Sequence, residues 1–258
     1  MDILRKELDR IYQSQNLDAE YLDEGRITAC KEIASNVASA TGGCCVITDA
    51  ARDYCYLYAG GLSSLIGLDV APDLYREIGS SDEDVIYTRL HPEDLVEKRM
   101  LEYEFFRFVD PLPPSEKKKY KATCRIRVRD REGNYIFIDN STQIIEPSPG
   151  GKIWLILCCY DLSPLQKGMP EGINAHIKNN HTGEIAELAF GEKKSHILSD
   201  REKEILKLVS EGKLSKQIAG ILGISVNTVN RHRQNILEKL SVVNSYEAIT
   251  AARAMGLL

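Results

Sequence analysis

Along residues 1–40 the apolar positions keep helical spacing. Leu4, Leu8, Ile11 and Tyr12 stand at i, i+4, i+7 and i+8, and after a break at residues 16–20 the series Ile27, Cys30, Ala34 and Val37 continues it. Gly42 and Gly43 punctuate the end, and the period then changes to that of strands. Residues 44–48 and 54–58 are short apolar runs joined by residues 49–53, the pattern of a hairpin. A helix is predicted over residues 92–106, preceded by His91 and with Pro92 suited to its first turn. Residues 121–129 alternate strictly, with Cys124, Ile126 and Val128 on one face and Arg125, Arg127 and Arg129 on the other. Residues 130–134 turn that strand into another at 135–139. Residues 153–160 are apolar on both faces, which places their strand in the middle of a sheet and demands a cover on either side. The helices of residues 1–40 are the expected second cover, supplied in cis or by a dimer partner. Residues 172–190 read as a small hairpin turning near 180–183, and residues 191–196 as a hinge.

The last 67 residues return to helical spacing. A first helix opens at Ser199 or Asp200 as N-cap, with Glu202 at capping-box spacing, carries Ile205, Leu206 and Val209, and stops at Gly212. A second begins at the N-cap Ser215, buries Ile218, Ala219, Ile221 and Leu222, and ends at Gly223. A third starts after the cap Ser225 and runs to about Leu240, so two short helices meet across a tight glycine turn, the helix-turn-helix pattern. At about 100° per residue, Val226, Val229, Ile236, Leu237 and Leu240 share one narrow sector. Asn227, Thr228, Arg231, Gln234, Asn235 and Glu238 stand opposite, while Asn230 lies at the edge of the apolar sector. Asn, Gln and Arg are the side chains that read adenine and guanine edges with paired hydrogen bonds in the major groove. Arg233 falls inside the apolar sector, where a guanidinium is expected to pair with a carboxylate, Glu202 or Glu204 of the first helix.

Charge supports this division. The whole chain carries 33 Lys+Arg against 38 Asp+Glu, a net of −5. Residues 192–258 hold 11 basic and 7 acidic residues, whereas residues 1–191 hold 22 and 31, so +4 on the helices stands beside −9 on the rest. Such an asymmetry is expected where one part meets a polyanion and the other does not.

The runs Leu198-Ser-Asp-Arg-Glu-Lys-Glu-Ile-Leu206, Ser215-Lys-Gln-Ile-Ala219 and Gly223-Ile-Ser-Val-Asn-Thr-Val-Asn-Arg-His-Arg-Gln-Asn-Ile-Leu-Glu-Lys-Leu240 resemble the DNA-binding domain of LuxR-type (NarL/FixJ-like) transcription regulators over about the last 60 residues, a fourth helix at 244–255 included. The resemblance implies a four-helix unit whose third helix enters the major groove and whose fourth often makes the dimer contact. It assigns base reading to Asn230, Arg231 and Gln234, to which the helical wheel adds Asn227. Phosphate binding falls to Ser215, Lys216, Thr228, His232 and Lys239.

Two strands, several short helices and three strands within about 120 residues resemble a PAS domain, with the His91-Pro-Glu-Asp94 and Cys159-Tyr-Asp-Leu162 motifs as minor support. The expected fold class is α+β: a PAS-like antiparallel five-stranded sheet with helices, followed by a small all-α four-helix LuxR-type helix-turn-helix domain. The expected organisation is N-terminal helices at 1–40, a PAS-like sensor at 41–165, a connector hairpin at 166–192 and the DNA-binding domain at 193–258.

PAS-like domains bind haem, flavin or small metabolites, or only dimerise. The flavin-photosensor motif is absent, His91 reads as a capping or surface residue rather than a haem ligand, and His176, His181 and His196 lack metal-ligand spacing, so no cofactor or metal is expected. Among the seven cysteines, the pairs Cys44-Cys45 and Cys158-Cys159 lie on strands that could be neighbours, yet free cysteine usually serves as a small apolar residue in a reducing compartment. No phosphoacceptor pattern, autoinducer-binding domain, catalytic set or nucleotide loop is evident. Without a stretch of roughly 20 apolar residues or a signal peptide, a cytoplasmic protein is expected. The sequence thus predicts a homodimeric transcription regulator that binds double-stranded DNA at a near-palindromic operator and answers to an unknown small-molecule or protein signal. The alternatives are a PAS-like protein-interaction module without a ligand, or an N-terminal enzyme fused to a DNA-binding domain.

Overall fold

The doubly apolar strand at residues 153–160 lies where its pattern requires, inside a sheet. In the computed structural model, which describes residues 3–68, 75–81, 83–167, 172–188, 198–240, 242, 244–254 and 257–258, the chain divides into two compact units, Leu8–Leu188 and Met1–Glu7 with Ala189–Leu258. The helices α1 (Ile3–Ser14) and α2 (Glu24–Thr41) lead into strands β1 (Cys44–Asp49) and β2 (Tyr54–Ala59). Then come α3 (Gly61–Leu65), β3 (Tyr75–Ile78), α4 (Asp84–Tyr87), α5 (Pro92–Val109) and α6 (Pro114–Lys117). Strands β4 (Tyr120–Arg129), β5 (Tyr135–Pro147), β6 (Ile153–Leu162), β7 (His176–Asn179) and β8 (Ile185–Glu187) complete the larger unit.

The sheet is antiparallel throughout, in the order β3-β2-β1-β6-β5-β4-β7-β8. Among the described residues it has eight strands, not the expected five. The five foreseen strands occupy consecutive central places, and three short ones extend the edges. The hairpin expected as a connector turns where foreseen, with Gly183 at φ 75°, but it is part of the sheet: β7 pairs with β4 from Tyr120↔Asn179 to Thr123↔His176 and so satisfies a backbone edge. Strand β5 runs well past the expected end at 139. Its inward Asn140 and Thr142 break the apolar alternation, but each finds a partner on β6: Asn140 Nδ2 donates to Cys159 O at 3.0 Å, and Thr142 Oγ1 lies 3.5 Å from Cys158 Sγ.

Both covers are present in cis. On one face, α2 lays Ile27, Cys30, Ala34 and Ala38 against Cys45, Ile47, Leu155 and Leu157. The small alanines at the contact let the helix approach the strands closely. Asp23 caps its start, Oδ1 accepting from Gly25 N at 2.8 Å, and Gly42 at φ 72° ends it, a conformation that favours glycine. On the other face α5 buries Val96, Met100, Leu101, Phe105, Phe106 and Val109 and packs against β4.

The start of α5 is tied to β4 by Arg127, whose Nη2 donates to Asp94 at 2.5 Å and to Glu93 at 2.8 Å while its backbone N–H also reaches Asp94. His91, read as a capping or surface residue, holds the N-cap position without a side-chain cap hydrogen bond. Its ring instead packs edge-on against Tyr135, with centroids 4.9 Å apart, and burial lowers its pKa. His91, Glu93 and Asp94 are close enough together to hold a metal ion, but Arg127 already occupies the carboxylates. His176 bonds Thr123 at 2.6 Å, and His196 and the hinge at 191–196 lie outside the described residues. Among the described residues no helix is long and apolar enough to cross a membrane.

Because Ala34 is fully buried against the strands, Ala34→Leu should overpack that interface and cost about 1–3 kcal/mol, read as a lower urea midpoint at unchanged m. An unaltered midpoint would contradict the close cover by α2.

Candidate functional site

Among its described residues the C-terminal unit has four helices: α7 (Asp200–Ser210), α8 (Ser215–Leu222), α9 (Val226–Leu240) and α10 (Ser245–Ala254). The capping box at α7 forms as expected, Ser199 Oγ accepting from Glu202 N and Glu202 Oε2 accepting from Ser199 N at 2.8 Å. Ser215 is not the N-cap of α8. Leu214 holds that place, and Gln217 reaches back to accept from its N–H at 2.8 Å. Gly223, at φ 64°, ends α8. Ser225 then starts α9, its Oγ accepting from Thr228 N at 3.0 Å. Asn244 does the same for α10 through Glu247 N at 2.9 Å.

The inner side of α9 is Val229, Ile236 and Leu240, all buried. Its outer side presents Asn227, Asn230, Arg231 and Gln234, all exposed. Asn230 is therefore on the open face rather than at the apolar edge. Among the described residues these four side chains have no hydrogen bond or ion pair, so their amide and guanidinium donors face solvent. Spaced at i, i+3, i+4 and i+7, they form one stripe about 10 Å long.

The remaining polar residues divide by what they bind within the unit. Arg233 does not pair with Glu202 or Glu204. Its Nη1 donates to Ser215 Oγ at 3.0 Å and its Nη2 to Ser245 Oγ at 2.9 Å, which joins α8, α9 and α10. The expected carboxylates are already engaged: Lys239 Nζ binds Glu202 at 2.6 Å, and Arg201 binds Glu204 at 2.6 Å. Arg233 is only half-buried, so it keeps part of its hydration and needs no carboxylate. Lys239, expected to bind phosphate, thus holds α9 to α7. Arg201 was not foreseen; its Nη2 also caps the C-terminus of α8 by donating to Leu222 O at 2.9 Å. Lys216 and Thr228 are exposed, and His232 is half-buried with Nδ1 lacking a hydrogen-bond partner. Ile221, expected in the core, is 56% exposed.

In the larger unit a polar cluster lies buried between the sheet and α5. Lys98 Nζ donates to Glu102 Oε1 at 2.6 Å, Tyr87 OH donates to the same oxygen at 2.7 Å, and Tyr160 OH donates to Glu83. Burial raises the Glu83 carboxyl, with Lys98 opposing. Burial alone would lower Lys98, but Glu102 beside it holds the ammonium above its usual value. Lys98 thus pairs with Glu102 directly and acts on Glu83 only through its field. Sequence periodicity missed the cluster because Lys98 and Glu102, at i and i+4, look like an ordinary exposed helix pair.

Comparison with known proteins bears on the C-terminal unit. The family described as bacterial regulatory proteins, luxR family, matches residues 196–252. Residues 196–252 are a LuxR-family helix-turn-helix domain. The chain is 43% identical across 79 residues to the transcriptional regulatory protein DesR of Bacillus subtilis, covering 31% of this chain and 39% of DesR. It is 48% identical across 60 residues to the regulatory protein SdiA of Escherichia coli, covering 23% of this chain and 25% of SdiA. The chain spans about two fifths or less of the length of these curated relatives. A solved structure of the Vibrio cholerae VqmA dimer without its target DNA aligns at 19% identity over 92% of this chain and 89% of that one, with a TM-score of 0.31.

Within the LuxR-family domain, Glu202 is the carboxylate that joins α7 to α9. Burial by itself raises it, but the Lys239 ammonium and the Ser199 N–H and hydroxyl outweigh burial and hold it below its ordinary value. A lowered carboxylate contributes stability that is present above the unfolded value of about 4.3 and is lost as pH falls through the lower folded value. Lys239→Met should raise the folded value, so the melting temperature should start to fall at a higher pH than in the wild type. Superimposable pH profiles would show that the pair does not hold the domain.

Proposed function

We propose that the protein is a sequence-specific DNA-binding transcription regulator. The observation that carries this is the open stripe of Asn227, Asn230, Arg231 and Gln234 on α9, set after a glycine turn in a LuxR-family domain. These four residues are the base readers in this proposal. Ser215, Lys216, Thr228 and His232 lie around them as phosphate contacts, which fix register and supply salt-sensitive affinity. Lys239 acts indirectly, by setting the angle of α9 through Glu202. In a homodimer two copies of α9 would sit about 34 Å apart on one face of a duplex, which calls for a near-palindromic operator.

The larger unit serves in this reading as a PAS-like sensor. Its central strand order β2-β1-β6-β5-β4, with helices inserted between β2 and β4, supports that assignment. A signal acting there would alter dimer geometry or access to α9. A second reading, a PAS-like interaction module that binds a partner protein without a small molecule, is favoured by the buried Lys98, Glu102, Tyr87, Glu83 and Tyr160 cluster, whose bonds are made by its own side chains.

The test is binding to an operator recovered by selection from random duplexes. Arg231→Ala and Gln234→Ala should each cost about 1–3 kcal/mol on the selected site and little on unrelated DNA. Lys216→Ala should weaken both and reduce the salt slope by about one. Equal losses on selected and unrelated DNA for Arg231→Ala would remove it from base reading.

A further inference from the structure

The register of β1 against β6 sets Cys45 directly opposite Cys159. The same register continues to Ala50 and Trp154, where Ala50 N donates to Trp154 O at 3.0 Å. Since hydrogen-bonded and non-hydrogen-bonded pairs alternate, Cys45 and Cys159 form a non-hydrogen-bonded pair. Cα atoms at such positions are about 4.5 Å apart and side chains approach most closely. That separation lies within the range of roughly 4.4–6.8 Å spanned by disulfides.

The thiols take up that approach. Cys45 Sγ donates to Cys159 Sγ at 3.5 Å. Of the seven cysteines, all of them free thiols, Cys159 alone is not fully buried. The hydrogen bond from Cys45 lowers the Cys159 thiol against the opposing effects of burial and Asp161. Burial raises Cys30, Cys44, Cys124 and Cys158. Cys44 and Cys158, the other members of the two vicinal pairs, face Tyr160 and Val46 instead of a thiol. On the far side of Cys159 its β5 partner Ser141 lines a partly open groove of about 350 Å³, together with Lys121, Thr123, Asp139 and Asp161. A small polar reagent in that groove stands one strand away from the sulfur.

We propose that Cys45 and Cys159 form a modification site that a hydroperoxide converts to a disulfide. The Cys159 thiolate attacks the terminal oxygen of the peroxide; the O–O bond breaks, the alkoxide leaves and takes up a proton, and Cys159 becomes a sulfenic acid. The Cys45 sulfur then attacks Cys159 Sγ. The S–S bond forms, the S–O bond breaks, and the hydroxyl leaves as water with the Cys45 proton. The two thiols give up two electrons and the hydroperoxide accepts them, yielding one alcohol and one water, or two waters from hydrogen peroxide. The product joins β1 to β6 at the centre of the sheet.

The full-length protein would be treated with one equivalent of hydrogen peroxide, alkylated and mapped by peptide mass without reductant. The expected product is a cross-link between the peptides bearing Cys45 and Cys159, with the other five thiols alkylated. Cys44→Ser and Cys158→Ser should retain that cross-link, and Cys45→Ser and Cys159→Ser should lose it. In Cys45→Ser the sulfenic acid on Cys159 should be trapped by dimedone. A wild-type protein that yields no such cross-link overturns the proposal whatever the variants do. So does a cross-link that survives Cys45→Ser.

Discussion

Strand β6 is buried from Ile153 through Cys158, so it must be covered on two faces at once, and the larger unit is arranged to meet that demand. The two covers solve it differently. On the α2 side the contact is close and almost wholly apolar, with alanine and cysteine where a larger side chain would hold the helix away. On the α5 side the same strand also meets charged groups, with Glu102 held by Lys98 and the Tyr87 hydroxyl and Glu83 by the Tyr160 hydroxyl. One cover is therefore apolar and close, and the other combines apolar packing with paired polar groups.

The helical unit follows another logic. Its apolar centre is reinforced by polar ties at the helix ends. Glu202 closes the first turn of α7 and holds the last turn of α9, Ser225 caps the beginning of α9, and Arg233 fastens its middle to α8 and α10. Every one of these ties lies on the inner side or at an end. The orientation of α9 is thus settled without any group on its outer stripe, which stays available for another molecule.

Much of this was legible in the sequence wherever a period was strong. The strands around residues 44–58 and 121–129, the central strand and the four C-terminal helices follow from alternation, spacing and caps. What was not legible has physical reasons. The edge strand β3 is short and exists through pairing with β2, and β7 and β8 became part of the sheet through the open edge of β4. The second half of β5 was hidden by Asn140 and Thr142, whose partners lie on another strand. Ile221 was assigned to the core because apolar residues usually are, but the apolar fraction of a protein surface is large. The stripe on α9 was read from the sequence almost entire. Its supporting residues were not: hydroxyl partners such as Ser215 and Ser245 leave no periodic trace, and Lys239 looks like any surface cation until Glu202 is placed beside it.

The clamp made by Arg233 has an electrostatic consequence. A lysine bound to a carboxylate, as Lys239 is, contributes little to the field beyond the molecule, because the two charges cancel at a distance. Arg233 is held by two neutral hydroxyls, so its full positive charge remains. At physiological ionic strength that charge is felt over about 8 Å, beyond the reach of its own side chain. The residue that keeps three helices together thus also adds to the positive potential around the helix-turn-helix.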